Sequence, residues 1–320
     1  MIYNISKFNQ TNNIQCVEGL DIKISVIVPC YNVQNYIVRC VDSIMNQSIG
    51  CEKLEVILVN DASTDETYQT LLCIEKQYPE QVLVINCAEN GRQGCARNIG
   101  LSYATGEYIT FVDADDMIHP RMMECLVLGI INYQTQIAEC ELQIFGNESE
   151  ISCDAVKDKE GLEQLFLVES LEEANVFFVN HAFDTSVCRR MYCRDFIEEA
   201  RLFFPEQIFM EDIFFTQLAM VYCKSMYKIK QPLYYYFQNT NSTMHSDKLK
   251  TYYMDVHKVS VMVTEELKSR GYFEYYKESL KMVYEKKVLE DLTAYMNNTF
   301  EVFPDENAQI MKKYMESTFN

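Results

Sequence analysis

The sequence predicts an α/β fold: a doubly wound, mostly parallel sheet with a helical C-terminal extension. Three observations predict it. Apolar, β-branched runs alternate with segments of helical periodicity between residues 23 and 112, with crossovers long enough to join parallel strands. A polar cluster sits at the carboxyl end of each run, where such sheets bind ligands. The run Gly106-Glu107-Tyr108-Ile109-Thr110-Phe111-Val112 ends in Asp113-Ala114-Asp115-Asp116, three carboxylates in four positions. Adjacent carboxylates repel one another unless a cation is shared, so the cluster predicts a divalent metal, Mg²⁺ or Mn²⁺.

In order, Lys23–Pro29 reads as a buried strand that Pro29 terminates, because proline cannot continue a central ladder. Cys30-Tyr31-Asn32 follows, then Tyr36, Ile37, Cys40, Val41 and Ile44 at helical spacing. Glu55–Val59 is a second strand, Asn60-Asp61-Ala62-Ser63-Thr64-Asp65 a turn, and a helix runs from Asp65 to about Tyr78. Gln81–Ile85 is a third strand, leading through Asn90-Gly91-Arg92 into a helix across Ala96–Leu101. Tyr108–Val112 is the fourth.

Beyond Pro120 the pattern loosens. Thr135–Phe145 reads as a strand, Lys159–Val168 as a helix and Glu211–Tyr222 as a helix opened by a carboxylate pair among aromatics. A Tyr-rich strand spans 226–237, 239–246 is polar, and from Asp247 onward three helices are broken near Gly271 and Pro304. The expected organisation is an N-terminal extension at 1–20, a main domain at 21–222 with halves 21–118 and 119–222, and a strand and helical region at 223–320.

Composition bounds the function classes. Of 320 residues 48% are hydrophobic and 23% charged, ordinary globular values rather than those of a disordered chain. The net charge of −19 argues against a nucleic-acid partner, which calls for a basic footprint. It also means that a polyphosphate must be met locally, by a metal, backbone amides or a few arginines. The 13 cysteines are scattered without a C-x-x-C pair, which excludes a zinc ribbon or a thioredoxin-type site. With no signal peptide and no apolar run near the ~18 residues that span a bilayer, reduced thiols in a cytoplasmic protein are expected. A dinucleotide-binding domain or a P-loop needs glycines directly after the first strand, where this chain has Pro29-Cys30-Tyr31-Asn32-Val33.

Five segments occur in an order and at intervals that resemble the inverting family-two glycosyltransferases of bacterial polysaccharide synthesis, which have the Rossmann-like GT-A fold. They are Ser25–Asn32, Val59–Asp65, Ala96–Gly100, Gly106–Asp116 and Glu211–Phe215. The resemblance implies transfer of a hexose or N-acetylhexosamine from a UDP-sugar donor to a saccharide or lipid-linked acceptor. It implies a metal on Asp115 and Asp113, with Asp115 the direct ligand, as in the family's D-x-D motif. It places Asp61 on the uracil ring, with Pro29 and Tyr31 shaping the base pocket, and Asn32 and Ala114 beside the nucleotide-sugar. Arg92 would contact uracil or phosphate; Arg97 is either a phosphate contact or a structural ion pair. Asp212 matches the family's base, with Glu211 as fallback; a pair favoured only by the helix dipole is the other reading. His245 would reach the metal or diphosphate, or neither.

Three departures stand out. Asn60-Asp61-Ala62 replaces Asp-Asp-Gly, Cys188 stands near the place of a Trp, and Gln238 replaces an Arg. A non-catalytic module that only binds a nucleotide or a partner is the alternative function. From Lys224 to Lys287 the chain carries 12 Lys/Arg against 7 Asp/Glu. That excess suits either peripheral contact with the inner face of the plasma membrane or a merely solvated helical face.

Overall fold

In the computed structural model, which describes residues 2–4, 19–151, 162–238, 249–290 and 305–319, seven consecutive buried residues form a strand at the heart of the parallel part of the sheet, Ile24–Cys30. A strand covered on both faces reads as a continuous apolar run, and Ile24-Ser25-Val26-Ile27-Val28-Pro29-Cys30 is one. We label it β2; β1 is Ile2–Asn4, inside the stretch expected to be a loose extension. Helix α1 (Ile37–Met45), β3 (Leu54–Asn60), α2 (Thr67–Gln77), β4 (Val82–Asn86), α3 (Arg92–Tyr103) and β5 (Tyr108–Phe111) complete the alternation. Helix α3 packs closely on the sheet because Gly100 faces Ile27, where any side chain would collide.

The chain lays β3 and then β4 parallel on one side of β2, and returns to add β5 parallel on its other side. The reversal makes the carboxyl end of β2 a topological switch point, where an open α/β sheet leaves a crevice for ligand. Pro29 does not end β2 as the sequence predicts. It stays in the ladder opposite Val59, and Cys30 continues to pair with Asn60. The reason lies in the direction of its missing N–H. Cys30 O accepts from Asp61 N–H on the β3 side, whereas Ile27 O accepts from Val112 N–H on the β5 side. Pro29 shares the orientation of Ile27, and β5 has already stopped at Phe111, opposite Ile27. No ladder bond is lost.

Beyond β5 come β6 (Met117–Ile118), α4 (Met122–Tyr133), β7 (Ile137–Phe145), β8 (Glu163–Leu167), α5 (Leu171–His181), β9 (Arg190–Cys193), α6 (Arg194–Glu199), α7 (Glu211–Tyr222) and β10 (Ser225–Phe237). The sheet order is β1-β8-β10-β7-β9-β5-β2-β3-β4, with β6 pairing on β10. Strand β9 lies antiparallel between β5 and β7, so the sheet is parallel over β2–β5 and mixed beyond. The predicted helix over Lys159–Val168 is a correction: Glu163–Leu167 is a strand, antiparallel to both β10 and β1. Residues 159–161 lie outside those described. Edge-to-edge pairing with distant segments overrides the weak local preference of Glu-Gln-Leu-Phe-Leu.

The chain packs as two units. The described residues of Met1–Leu167, Ser186–Gln207 and Cys223–Asn239 hold the sheet. Those of Val168–Thr185, Ile208–Tyr222 and Thr240–Asn320 hold α5, α7, α8 (Leu249–Ser269), α9 (Phe273–Tyr284, continuing as a π-helical turn over Glu285–Glu290) and α10 (Asp305–Phe319). In this helical unit α7 buries Ile213, Phe214, Phe215 and Leu218, and Tyr276 of α9 donates to Val221 O at 3.0 Å. Among the described residues no helix is long and apolar enough to cross a membrane, and all eleven described cysteines are unpaired thiols.

Candidate active site

Three successive loops at the carboxyl edge of the parallel strands put a non-glycine residue in the left-handed region: Asn32 (φ 54°), Ala62 (φ 55°) and Arg92 (φ 66°). The first two loops are tied to each other. Asn32 Oδ1 accepts from Thr64 N–H at 2.8 Å and Asn32 N–H donates to Ser63 Oγ at 3.1 Å. Val33 N–H donates to Thr67 Oγ1 at 2.8 Å, and Glu66 N–H to Gln34 Oε1 at 2.8 Å. Asn32 thus spends its side-chain carbonyl on the loop lock, while Tyr31 beside it is 47% exposed at the edge and Pro29 is buried beneath.

Asp61 is buried, and its carboxylate is set at the start of α3. Oδ1 accepts from Gly91 N–H at 2.7 Å, and the backbone N–H of Arg92 also bonds it. Burial raises the Asp61 pKa and these two amides work against the rise. Asp61 therefore caps a helix some thirty residues downstream, a contact that reading Asn60–Asp65 as a turn did not include.

At the end of β5 the three carboxylates have different surroundings. Asp113 Oδ1 accepts from Arg97 Nη2 at 2.8 Å, and Arg97 is nearly buried with its guanidinium 5.4 Å from the ring centre of Phe204. Of the two readings open for Arg97, the geometry contains the ion pair. The Cys188 thiol also bonds the Asp113 carboxylate. Asp116 is buried and scaffolds the turn: Oδ2 accepts from Tyr234 Oη at 2.5 Å and Oδ1 from Phe237 N–H at 2.7 Å. Ala114 is buried, and Asp116 N–H closes the turn onto Asp113 O at 3.0 Å.

The Asp115 carboxylate is met by its own backbone N–H and by the charge of Arg39, and these do not offset its surroundings. Burial, and after it the charge of Asp113, push its pKa up to about 6. A divalent cation would favour the charged form. Among the described residues no group of three or more His, Cys, Asp or Glu side chains is arranged to hold a metal. Two carboxylates still fit a hard cation whose shell is completed by phosphate oxygens. His245 lies outside the described residues.

Asp212 belongs to the helical unit, in the first turn of α7. It is half-buried, with Oδ1 accepting from Ile213 N–H at 2.9 Å, and its carbonyl accepts from Thr216 Oγ1 at 2.7 Å. Glu211 is buried, and Met210 just before it has φ 64°. Sequence reasoning missed two supports of the carboxylate turn: the Tyr234 hydroxyl, and Arg39 of α1, whose Nη2 donates to Asp115 O at 2.9 Å. Nothing in the local pattern of either residue signals a contact over 70 or more positions.

The arrangement of the sheet defines the class, a GT-A fold whose strand-end loops gather at the switch point. Staphylococcus aureus TarS 1–349 in complex with UDP-GlcNAc superposes with a TM-score of 0.63 at 22% identity, covering 82% of this chain and 73% of that one. The mannosyltransferase PcManGT from Pyrobaculum calidifontis, in complex with GDP-Man and Mn²⁺, gives 0.53 at 16% identity, over 96% and 83%. Residues 25–151 match the model of Glycosyl transferase family 2, so this part of the chain is of that family. Among curated relatives, glycosyltransferase GlyA of Streptococcus pneumoniae is 42% identical over 132 residues, 41% of this chain and 18% of that protein. EpsJ of Bacillus subtilis, described as an uncharacterized glycosyltransferase, is 32% identical over 227 residues, 68% of this chain and 62% of the relative. The chain thus spans less than two thirds of the length of either relative.

Proposed function

We propose that the protein is an inverting glycosyltransferase. It moves a hexose or N-acetylhexosamine from a UDP-sugar to a glycan or lipid-linked saccharide in cell-surface polysaccharide synthesis. The observation that carries this reading is the pair of carboxylates Asp113 and Asp115, the second largely buried, on the same sheet edge as Asp61. TarS was solved with UDP and with UDP-GlcNAc, which supports the choice of nucleotide; the Mn²⁺ in PcManGT supports that of cation.

Asp61 accepts from the uracil N–H, with Pro29 and Tyr31 shaping the base pocket, Arg92 contacting uracil or phosphate, and Asn32 and Ala114 beside the nucleotide-sugar. Arg97 acts through Asp113, whose carboxylate it orients. Asp113 and Asp115 hold Mg²⁺ or Mn²⁺; when bound, such a cation stabilises the negative charge that develops on the departing diphosphate. Asp212 takes the proton from the acceptor hydroxyl as that oxygen attacks the anomeric carbon and the bond to the diphosphate breaks. Residues 21–222 act as the catalytic domain, with 21–118 binding donor and 119–222 facing acceptor. Residues 223–320 complete it, and the enzyme works in the cytoplasm, in peripheral contact with the membrane.

A panel of nucleotide-sugars with saccharide and lipid-linked acceptors, monitored by UDP release with and without Mn²⁺, tests the reading. The expected result is metal-dependent release with one donor. Asp212→Asn should cut turnover by roughly 10²–10⁴-fold, the range for a lost general base, while UDP affinity is kept. Wild-type turnover persisting in Asp212→Asn would overturn the assignment of the base. UDP binding without turnover across the panel would favour the non-catalytic alternative.

A further inference from the structure

Arg39 belongs to none of the motifs that mark the site, yet its side chain is one of the most constrained on the sheet edge. Its guanidinium carbon lies 4.3 Å from the ring centre of Phe237, 5.2 Å from that of Tyr36 and 5.6 Å from that of Phe145. The rings pack on one another as well, Tyr36 to Phe237 at 5.4 Å and Phe145 to Phe237 at 5.2 Å. Three aromatic faces around one cation form a cage that restricts how the planar fork can turn.

Held there, the fork bonds at both ends. Nη2 donates to the main-chain oxygen of Asp115 at 2.9 Å, and Nη1 pairs with Glu148 Oε1 at 3.0 Å. Glu148 is 59% exposed, so the ion pair with it is a weak anchor. The stacking and the carbonyl bond therefore carry the arrangement. The carbonyl of Asp115 follows directly on the Cα that carries the candidate ligand, so fixing that peptide plane fixes where the carboxylate points. Phe237 links the two ends of the turn: its ring stacks on Arg39 and its N–H holds Asp116 Oδ1 at 2.7 Å.

We infer that Arg39 is a positioning residue, which presents Asp115 in place for a divalent cation and the diphosphate it accompanies. This rests on the reading of the Asp113–Asp115 turn as a cation site. Arg39 acts through the Asp115 peptide, with both of its terminal nitrogens already engaged. Lysine cannot stack in the cage and reach two acceptors in one plane, so it restores the charge without the orientation.

The test is Mn²⁺ binding by the full chain in the presence of UDP, read from the paramagnetic resonance signal of free Mn²⁺, beside metal-free UDP titration and thermal melting. Arg39→Met is expected to weaken Mn²⁺ binding by about tenfold, the lower end for loss of an outer-shell support. Metal-free UDP affinity should stay unchanged, and Arg39→Lys should fall between. A merely structural role would instead lower melting temperature and UDP affinity together. Phe237→Leu, which removes the central stacking face and leaves Arg39, should weaken Mn²⁺ binding in the same direction. Unchanged Mn²⁺ affinity in folded Arg39→Met overturns the inference; if that variant does not fold, unchanged affinity in Phe237→Leu does so. A wild-type chain that fails to bind Mn²⁺ with UDP would overturn the cation site itself, a result distinct from either.

Discussion

The Tyr234 hydroxyl donates to Asp116 Oδ2 across 2.5 Å, with both side chains almost wholly removed from water. The same oxygen accepts from Asp113 N–H at 3.2 Å, so one phenol spans both ends of the carboxylate turn. Tyr234→Phe keeps the ring and removes the bridge, leaving the buried carboxylate with the Phe237 N–H. The expected cost is about 1–3 kcal/mol, the range for a buried acceptor stripped of a partner, seen as a lower denaturant midpoint at unchanged slope.

Asp61 has two separable duties. Asp61→Ala removes the cap on Gly91 N–H and Arg92 N–H and should cost about 1–2 kcal/mol of stability. Asp61→Asn keeps an oxygen for the cap but loses the charge, so its stability should lie close to wild type while KM for a UDP-sugar rises. Equal KM values in the wild type and in Asp61→Asn would remove Asp61 from base recognition.

Glu139 tests the core of the sheet. It is buried with Arg190 Nε at 2.7 Å, Lys228 Nζ at 2.9 Å and Arg189 Nη2 at 3.3 Å. Burial alone would raise its pKa, but Arg190, Arg189 and Lys228 outweigh it and hold the group far below the usual carboxylate range. Glu139→Gln leaves Arg190 buried without its counter-charge and should cost about 3–5 kcal/mol. Replacing both partners by apolar residues, Glu139→Leu with Arg190→Met, should cost less than that single change.

Glu55 gives the pH dependence. Burial opposes its charge, but bonds from Lys23 Nζ, Ser25 Oγ and Thr105 prevail and lower its pKa to about 2. Because the folded value lies below the unfolded one, this contribution is complete above pH 4.5 and is lost as pH falls toward 2. Its size is on the order of 2–3 kcal/mol. Glu55→Gln should be less stable at pH 7 and show a flatter acid limb; parallel curves for the two proteins between pH 5 and 2 would contradict this.

What the sequence reveals and what it hides divide along distance. The strands and helices between residues 24 and 111 are legible because each is written in a few adjacent residues, and the strand-end rule then gathers Tyr31, Asp61, Arg92 and Asp115. Helix α5 carries a local signal too: Ser170 Oγ accepts from Glu173 N–H at 3.2 Å and Glu173 Oε2 from Glu169 N–H at 2.9 Å, a capping-box pattern present in the sequence. By contrast, β8 is a strand only because β10 and β1 flank it, and β9 enters between β5 and β7 from some 80 residues away. Arg39 and Tyr234 are hidden for the same reason, since their partners at Asp115 and Asp116 lie 76 and 118 positions off. Pro29 misleads locally, because whether its missing N–H matters depends on where the neighbouring strand stops.

That long reach has a consequence in time. The carboxylates at 113–116 leave the ribosome early, yet the strand that latches their turn, Ser225–Phe237, is made more than a hundred residues later. Until then β2, β3, β4 and β5 can pair among themselves, but Asp116 has neither the phenol nor the amide that hold it. Burying a carboxylate without partners is unfavourable, so the nascent parallel strands should keep this turn open and hydrated. Maturation of the carboxylate turn is thereby coupled to the arrival of β10, which serves as the checkpoint.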